Sequence, residues 1–350
     1  MWTPLRGLWG GGGARAAKSS APAAAVAAVS SPAPVVTTPQ APVPLPITPG
    51  LPDVDPALDG RFSALLLSLG QLRLGDADPT EQIVLRRLEE LVHARGQRDL
   101  LPRLPAVLPK LMSLVRRDDV SPRELAEHLA KDPALVSEVI RIANSPRYRA
   151  SRELGSLQDA VMVLGQQGMN QLVTNVAMRP VFNVQAGRFS QAARAHLWAQ
   201  AARCAHACAY LQGPRADQFE AYLAGMVVNA GLIPALRVLD QSYAGLSAPD
   251  TVAFHEGFLK LSLKISANIA KEWNFPEGVT QAVEALGTLP PPQPPVHLAV
   301  LLRSADQVSK RHLLMSAQNS GISPGNGEDV EVDPCFAELE RVFGAGQTDH

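Results

Sequence analysis

LPAVLPKLMSLVRRDDVSPRELAEHLAKDPALVSEVIRIANSPRY, residues Leu104 to Tyr148, reads as a run of short amphipathic helices joined by tight turns. Ser121, Pro122 and Glu124 form a helix start: the serine caps free backbone amides, the proline suits the first turn and the glutamate can bond back to the cap. Leu125 and Leu129 then share one face. Asp132 and Pro133 close that helix and open the next, because proline disfavours helical geometry in the residue before it. Leu135, Val139, Ile142 and Ala143 recur at helical spacing until Asn144, Ser145 and Pro146 end the segment with turn chemistry. Ser156 with Asp159 restarts a helix carrying Ala160, Val163 and Leu164.

The chain on either side is organised differently. Residues 1–50 hold the Gly10 to Gly13 run, alanine-rich stretches and repeated prolines, with Arg6, Arg15 and Lys18 as their charges. Such a segment buries too little apolar area to offset its ordering entropy, so a disordered tail is expected. Ala23 to Val29 resembles a weak signal-peptide core, but it is alanine-dominated and interrupted upstream by Pro22, which argues against secretion. No stretch approaches the roughly 18 consecutive apolar residues of a membrane span. Residues 51–98 form a helical extension: Phe62, Leu65, Leu66 and Leu69 predict one helix, and Asp78, Pro79 and Glu81 start a second carrying Ile83, Leu85, Leu88 and Leu91. The extension either packs onto the main domain or serves dimerisation or partner docking, and the residues leave both open.

Composition sets further bounds. A chain of 350 residues with 46% hydrophobic and 5% aromatic content can build a substantial core, and its abundant Ala and Leu favour an all-α fold. A formal net charge of -1 gives no global electrostatic argument for nucleic acid or an anionic membrane. Three cysteines, Cys204, Cys208 and Cys335, are too few for a disulfide framework and fit a reducing, cytoplasmic setting. Cys204 and Cys208 share a helix face, yet zinc would need two more ligands, so small buried thiols are expected. His255 and Glu256 are adjacent and do not face one another on a helix, which favours a helix-start or interhelical hydrogen bond for the histidine over an acid–base pair. Five prolines within Pro290 to Pro295 predict a rigid connector between a helix around Ala282 to Leu286 and a core helix over His297 to Arg311. Residues 313–350 read as a linker with one short helix, Pro334 to Phe343, that places Phe336, Leu339 and Val342 on one face.

Leu104 to Pro105, Asp132 to Leu135, Ala143 to Ser145, Ala160, Leu164 and Gly165, continuing through Gly225, Glu256, Trp273, Pro276 and Ala305 to Asp306, resemble the HD-related output domain, HDOD, over roughly Leu101 to Arg311. The resemblance implies an N-terminal helical bundle joined to a degenerate HD-like helical bundle across residues 99–312. It also implies a regulatory role in bacterial signal transduction, exercised through signalling proteins or a small ligand, and it is compatible with a homo-oligomer.

Catalytic HD phosphohydrolases, which HDOD modules resemble in fold, hold a divalent metal that activates water for attack on a phosphoester. By that resemblance the first histidine position falls at Gln200 and the histidine–aspartate pair at Val228 and Asn229. Further histidine positions fall at Ser262 and at Ala285 with Leu286, and Asp306 keeps the late aspartate. Val228 cannot ligate, and neutral amides bind metals weakly beside histidine and carboxylate. The expectation is therefore a non-catalytic chain without metal or cofactor, with Asp306 in a structural role. The alternative is a residual HD-type metal-dependent phosphohydrolase acting on nucleotides or cyclic dinucleotides. As a binding surface, Asn144, Ser145, Arg147, Arg149 and Arg152 are the candidates: either they order a turn or the arginines contact a small anion or partner.

Overall fold

Helix starts legible in the sequence are closed by side chains. Ser156 Oγ accepts from the Asp159 amide at 3.1 Å and donates to the Asp159 carboxylate at 2.8 Å. Asp78 and Glu81 exchange reciprocal amide-to-carboxylate bonds at 2.8 Å each, a capping box. The computed structural model describes residues 53–93, 101–115, 122–130, 133–145, 153–183, 187–214, 217–243, 248–288, 296–319 and 333–344. The tail over 1–50, Ser121, Asp132, Pro146 and Pro290 to Pro295 lie outside them.

Among the described residues the chain forms α1 (Pro56–Leu66), α2 (Pro79–His93), α3 (Val107–Val115), α4 (Pro122–Leu129), α5 (Pro133–Ala143), α6 (Leu157–Phe182), α7 (Arg188–Gln212), α8 (Gln218–Val227), α9 (Leu232–Ser242), α10 (Val252–Glu272), α11 (Glu277–Gly287), α12 (His297–Asn319) and α13 (Pro334–Phe343). One isolated bridge, Arg73 to Thr251, is the sole strand-like pairing among those residues. The fold is all-α, as its composition and periodicity predict.

Helices α3, α4 and α5 pack on α6, and α6 in turn meets α7 and α8, which joins the first bundle to the second. In the second bundle α7 is central, flanked by α8, α9 and α12, while α10 packs with α11. α7 and α8 approach closely: a Cβ on Gly225 would lie 2.5 Å from the Cys204 carbonyl oxygen, so no larger residue fits there without moving backbone. Gly165 interrupts α6 with φ 68°, a conformation that costs glycine little, and breaks it into two segments. Among the described residues one stretch, Gln218–Ser242, is long and apolar enough by composition to cross a membrane; it comprises α8 and α9, and 94% of its most apolar window is buried.

The extension helices α1 and α2 lie against the second bundle, α1 on α7, α10 and α12, and α2 on α9 and α10. α1 ends earlier than the Phe62, Leu65, Leu66, Leu69 spacing predicts. Ser68 adopts φ 56°, and the Leu69 amide reaches back to the Ala64 carbonyl at 2.8 Å while Ser68 bonds Leu65 at 3.2 Å. Leu69 is thus the apolar residue that closes a Schellman turn, not a further helical position. In α2 the buried stripe is Glu81, Val84, Leu88 and Leu91, and Ile83 is 44% exposed. The fully buried Glu81 shifts the register because its carboxylate accepts from the Asp250 and Thr251 amides and the Thr251 hydroxyl at 2.9, 3.1 and 2.6 Å. α12 runs to Asn319, eight residues past the predicted end at Arg311, because α13 packs along it.

Candidate functional site

Gln200 on α7, Asn229 in the turn after α8 and Asp306 on α12 converge inside the second bundle, all of them buried. Asn229 Nδ2 donates to Asp306 Oδ1 at 3.0 Å, and Gln200 Nε2 donates to the same oxygen at 3.2 Å and to Ser309 Oγ at 2.8 Å. The other carboxylate oxygen, Oδ2, lies 2.6 Å from the Lys310 ammonium, one helical turn further along α12. That ammonium also lies 2.7 Å from Asp59 Oδ1 on α1 and 5.1 Å from the centre of the Phe62 ring. Val228 packs in the apolar core. Ser262 Oγ donates to its own helix, to Phe258 O at 2.7 Å, and makes no bond to the Asp306 group.

Each ionised partner stabilises the other. Burial pushes the Asp306 carboxyl up, but the adjacent Lys310 ammonium, the Asn229 hydrogen bond and Arg303 outweigh it and hold the group below its ordinary 3.8. Burial pushes Lys310 down, and Asp306 and Asp59 more than reverse that, so the ammonium is held above its usual range. Three donors from three side chains therefore converge on one carboxylate, and the positive charge at its free edge belongs to the protein. A divalent ion would have to displace an ammonium 2.6 Å from that carboxylate and then find amide groups and a valine where anionic or imidazole ligands are needed. Among the described residues no three His, Cys, Asp or Glu side chains are grouped closely enough to hold a metal. The residues present do not fit a catalytic divalent cation.

The sequence profile of the HDOD domain matches residues 101–287, more than half of the chain. The chain belongs to the HDOD family. An HDOD domain protein of unknown function from Geobacter sulfurreducens shares 19% identity with it at a TM-score of 0.50, with 77% of this chain and 91% of that one covered. A protein from Shewanella amazonensis SB2B, carrying a provisional metal-dependent phosphohydrolase name, is 22% identical at a TM-score of 0.52, covering 76% of this chain and 98% of the other. At these identities the likeness concerns the fold. An uncharacterised Treponema pallidum protein is 26% identical over 209 residues, which span 55% of this chain and 38% of that protein's length. Helices α1, α2, α12 and α13 fall outside the matched HDOD span, so Asp306, Lys310 and Asp59 all come from outside it.

Of the surface candidates in this HDOD chain, Asn144 clasps one backbone residue: its Nδ2 donates to Leu154 O at 2.9 Å and its Oδ1 accepts from Leu154 N at 2.8 Å. Ser145 is half-buried with its amide on Ile142 O at 2.9 Å, and Arg147, Arg149 and Arg152 lie outside the described residues. His255 is buried between Ser63 Oγ, which bonds Nδ1, and Pro249 O, 3.1 Å from Nε2. Burial holds its ring below the ordinary 6.5, matching a neutral tautomer that accepts from Ser63 and donates to Pro249. Cys204, Cys208 and Cys335 are buried free thiols, with burial pushing Cys208 up to about 12.

A second cluster, missed by sequence reasoning, joins α13 to α7 and α12. His206 Nε2 lies 3.0 Å from Glu338 Oε1, Arg203 Nε donates to His312 Nδ1 at 3.0 Å, and His312 Nε2 lies 3.0 Å from Glu340 Oε2. Burial and then Arg203 push His312 down to about 4, against the pull of Glu340. The groups facing its ring are Arg203 from α7, Glu340 and Phe336 from α13 and Ser316 from its own helix. A histidine depressed in the docked state refuses a proton that the released state accepts, so the seat of α13 weakens as pH falls from about 6.5 to 4. The ring signals of Phe336 and Phe343, followed by NMR of fluorinated phenylalanine, are expected to shift toward solvent-exposed values over that range. In His312→Gln they should titrate no longer in this window; an unchanged titration would assign the effect elsewhere.

Proposed function

We propose that this chain is a non-catalytic HDOD regulatory module of bacterial, cytoplasmic signal transduction, acting through contact with signalling proteins or through a small ligand. The observation that carries the reading is the Lys310 ammonium between Asp306 and Asp59, 2.6 and 2.7 Å from each, at the centre where HD enzymes concentrate metal ligands. A protein cation there supplies the charge balance that a metal would otherwise bring, but it cannot ionise a water nucleophile or bridge a phosphoester. Three buried free thiols support the reducing compartment.

The purified full chain, loaded with Mg²⁺, Mn²⁺ or Fe²⁺ and dialysed, is expected to retain far less than one metal per chain. It is also expected to turn over neither nucleotides nor cyclic dinucleotides above a protein-free blank. Stoichiometric metal together with turnover abolished in Asp306→Asn, in a chain whose circular dichroism is unchanged, would instead establish the residual phosphohydrolase.

A further inference from the structure

Helix α13 is held in an unusual way for a core element. Cys335, Leu339 and Val342 form its buried face, but the surface that receives it presents Arg203 and His206 from α7 and His312 from α12. Those groups are matched on α13 by carboxylates and rings. Glu338 pairs with His206 and Glu340 with His312. The Arg203 guanidinium lies 4.9 Å from the Phe343 ring centre, and the His312 ring 5.2 Å from that of Phe336. The Arg203 guanidinium and the His206–Glu338 pair give the groove a charge preference as well as a shape, while the His312 ring, held down to about 4, is neutral there.

The covalent attachment does not dictate the seat. Residues 320–332 join α12 to Asp333, and a chain of that length can extend to roughly 40 Å. Phe336 and Glu340 both meet His312, so α13 lies beside the last two turns of α12, a distance of roughly 10 Å along the helix. Chain length alone therefore does not hold α13 in the groove. α13 and α12 lie outside the matched family span, and α7, the other wall of the groove, lies inside it.

We propose that the α7/α12 groove is the docking surface of this module for a partner protein's acidic amphipathic helix, and that α13 is its exchangeable occupant in cis. The proposal rests on the protein-binding reading above and names the partner's chemistry: an apolar stripe flanked by aromatic rings, with carboxylates opposite the two imidazoles. This is the helix-in-groove mode of recognition, with anchors at helical spacing. Competition from the tethered α13 lowers the apparent affinity for any helix arriving in trans.

The probe is a fluorescent peptide of Asp333 to Gly344 added to the full-length protein. Weak binding is expected to the unaltered chain. Binding should be at least tenfold tighter to a full-length Glu338→Lys/Leu339→Asp chain, whose own α13 no longer fits, and should disappear when Arg203→Glu is added. A peptide with both glutamates changed to lysine should not bind. Failure of the peptide to bind the released chain, with its helix content intact, overturns the proposal. Should that variant not fold, hydrogen exchange on the unaltered protein decides: α13 amides are expected to exchange at least tenfold faster than those of central α7, and exchange only with global unfolding overturns the idea. Reciprocal exchange of α13 between two copies, seen as a dimer that the peptide dissociates, would assign the groove to self-association and also overturn it. Metal-dependent turnover would sink the non-catalytic reading without altering peptide binding, so the two failures are distinguishable.

Discussion

Lys310→Ala is expected to cost about 3–5 kcal/mol of unfolding free energy at neutral pH, the typical penalty for stranding a buried charge. The substitution removes the ammonium 2.6 Å from Asp306, whose side chain is only 4% exposed and cannot turn to water, whereas that of Asp59 is 24% exposed and can. The pH dependence identifies the cause. In the unaltered chain Asp306 is held below 3.8, so its contribution is fully present above that value and is lost as pH falls below it. Without Lys310 burial dominates and the Asp306 carboxyl rises above its unfolded value. The variant then gains stability as pH falls toward 4, and its deficit narrows. Lys310→Met/Asp306→Asn should recover most of the loss, because the neutral amide can still accept from Gln200 and Asn229 while no charge remains buried. Urea unfolding at pH 7 and pH 4.5 measures all of this. A deficit below about 1 kcal/mol, or one that does not change with pH, would mean that the ion pair is incidental.

Glu81→Leu is expected to cost about 3 kcal/mol, at the upper end for buried donors left without an acceptor. Glu81 is fully buried and serves two ends at once: it closes the capping box with Asp78 and accepts from the Asp250 and Thr251 amides and the Thr251 hydroxyl. The loss should be local. Asn268 to Val92 and Ser63 to His255 still tie the extension to α10, so α2 is expected to exchange its amides faster than α7 without the whole chain unfolding. Glu81→Gln keeps one oxygen acceptor and should cost about half as much. Uniform destabilisation of α2 and α7 in hydrogen exchange would contradict the assignment of Glu81 to a local clamp.

Local features of this fold were legible in the sequence because they are encoded locally. The Ser156/Asp159 cap, the Pro334–Phe343 helix and the helical periodicity after Pro133 depend on residues three or four apart. The HD-like positions Gln200, Val228, Asn229, Ser262 and Asp306 could be placed through the resemblance, although their spatial grouping could not: Ser262 turns into its own helix while the amides of Gln200 and Asn229 turn to Asp306. Lys310 had one available signal, its i,i+4 spacing to Asp306. Asp59 had none, since its contact spans 251 positions of chain. Glu81 read as an ordinary capping residue because the backbone it also clamps arrives from 170 positions away.

The position of Asp59 bears on where this domain can be cut. A chain trimmed to begin at Leu101, where the family profile begins, would keep Lys310 and Asp306 but lose Asp59, Phe62 and Glu81. Such a fragment would uncover the apolar faces of α9 and α10 where α1 and α2 rest, and water would reach a charge cluster built to stay dry. The packed helical unit therefore exceeds the family match at both ends, and the residues from Asp55 onward belong to its packing.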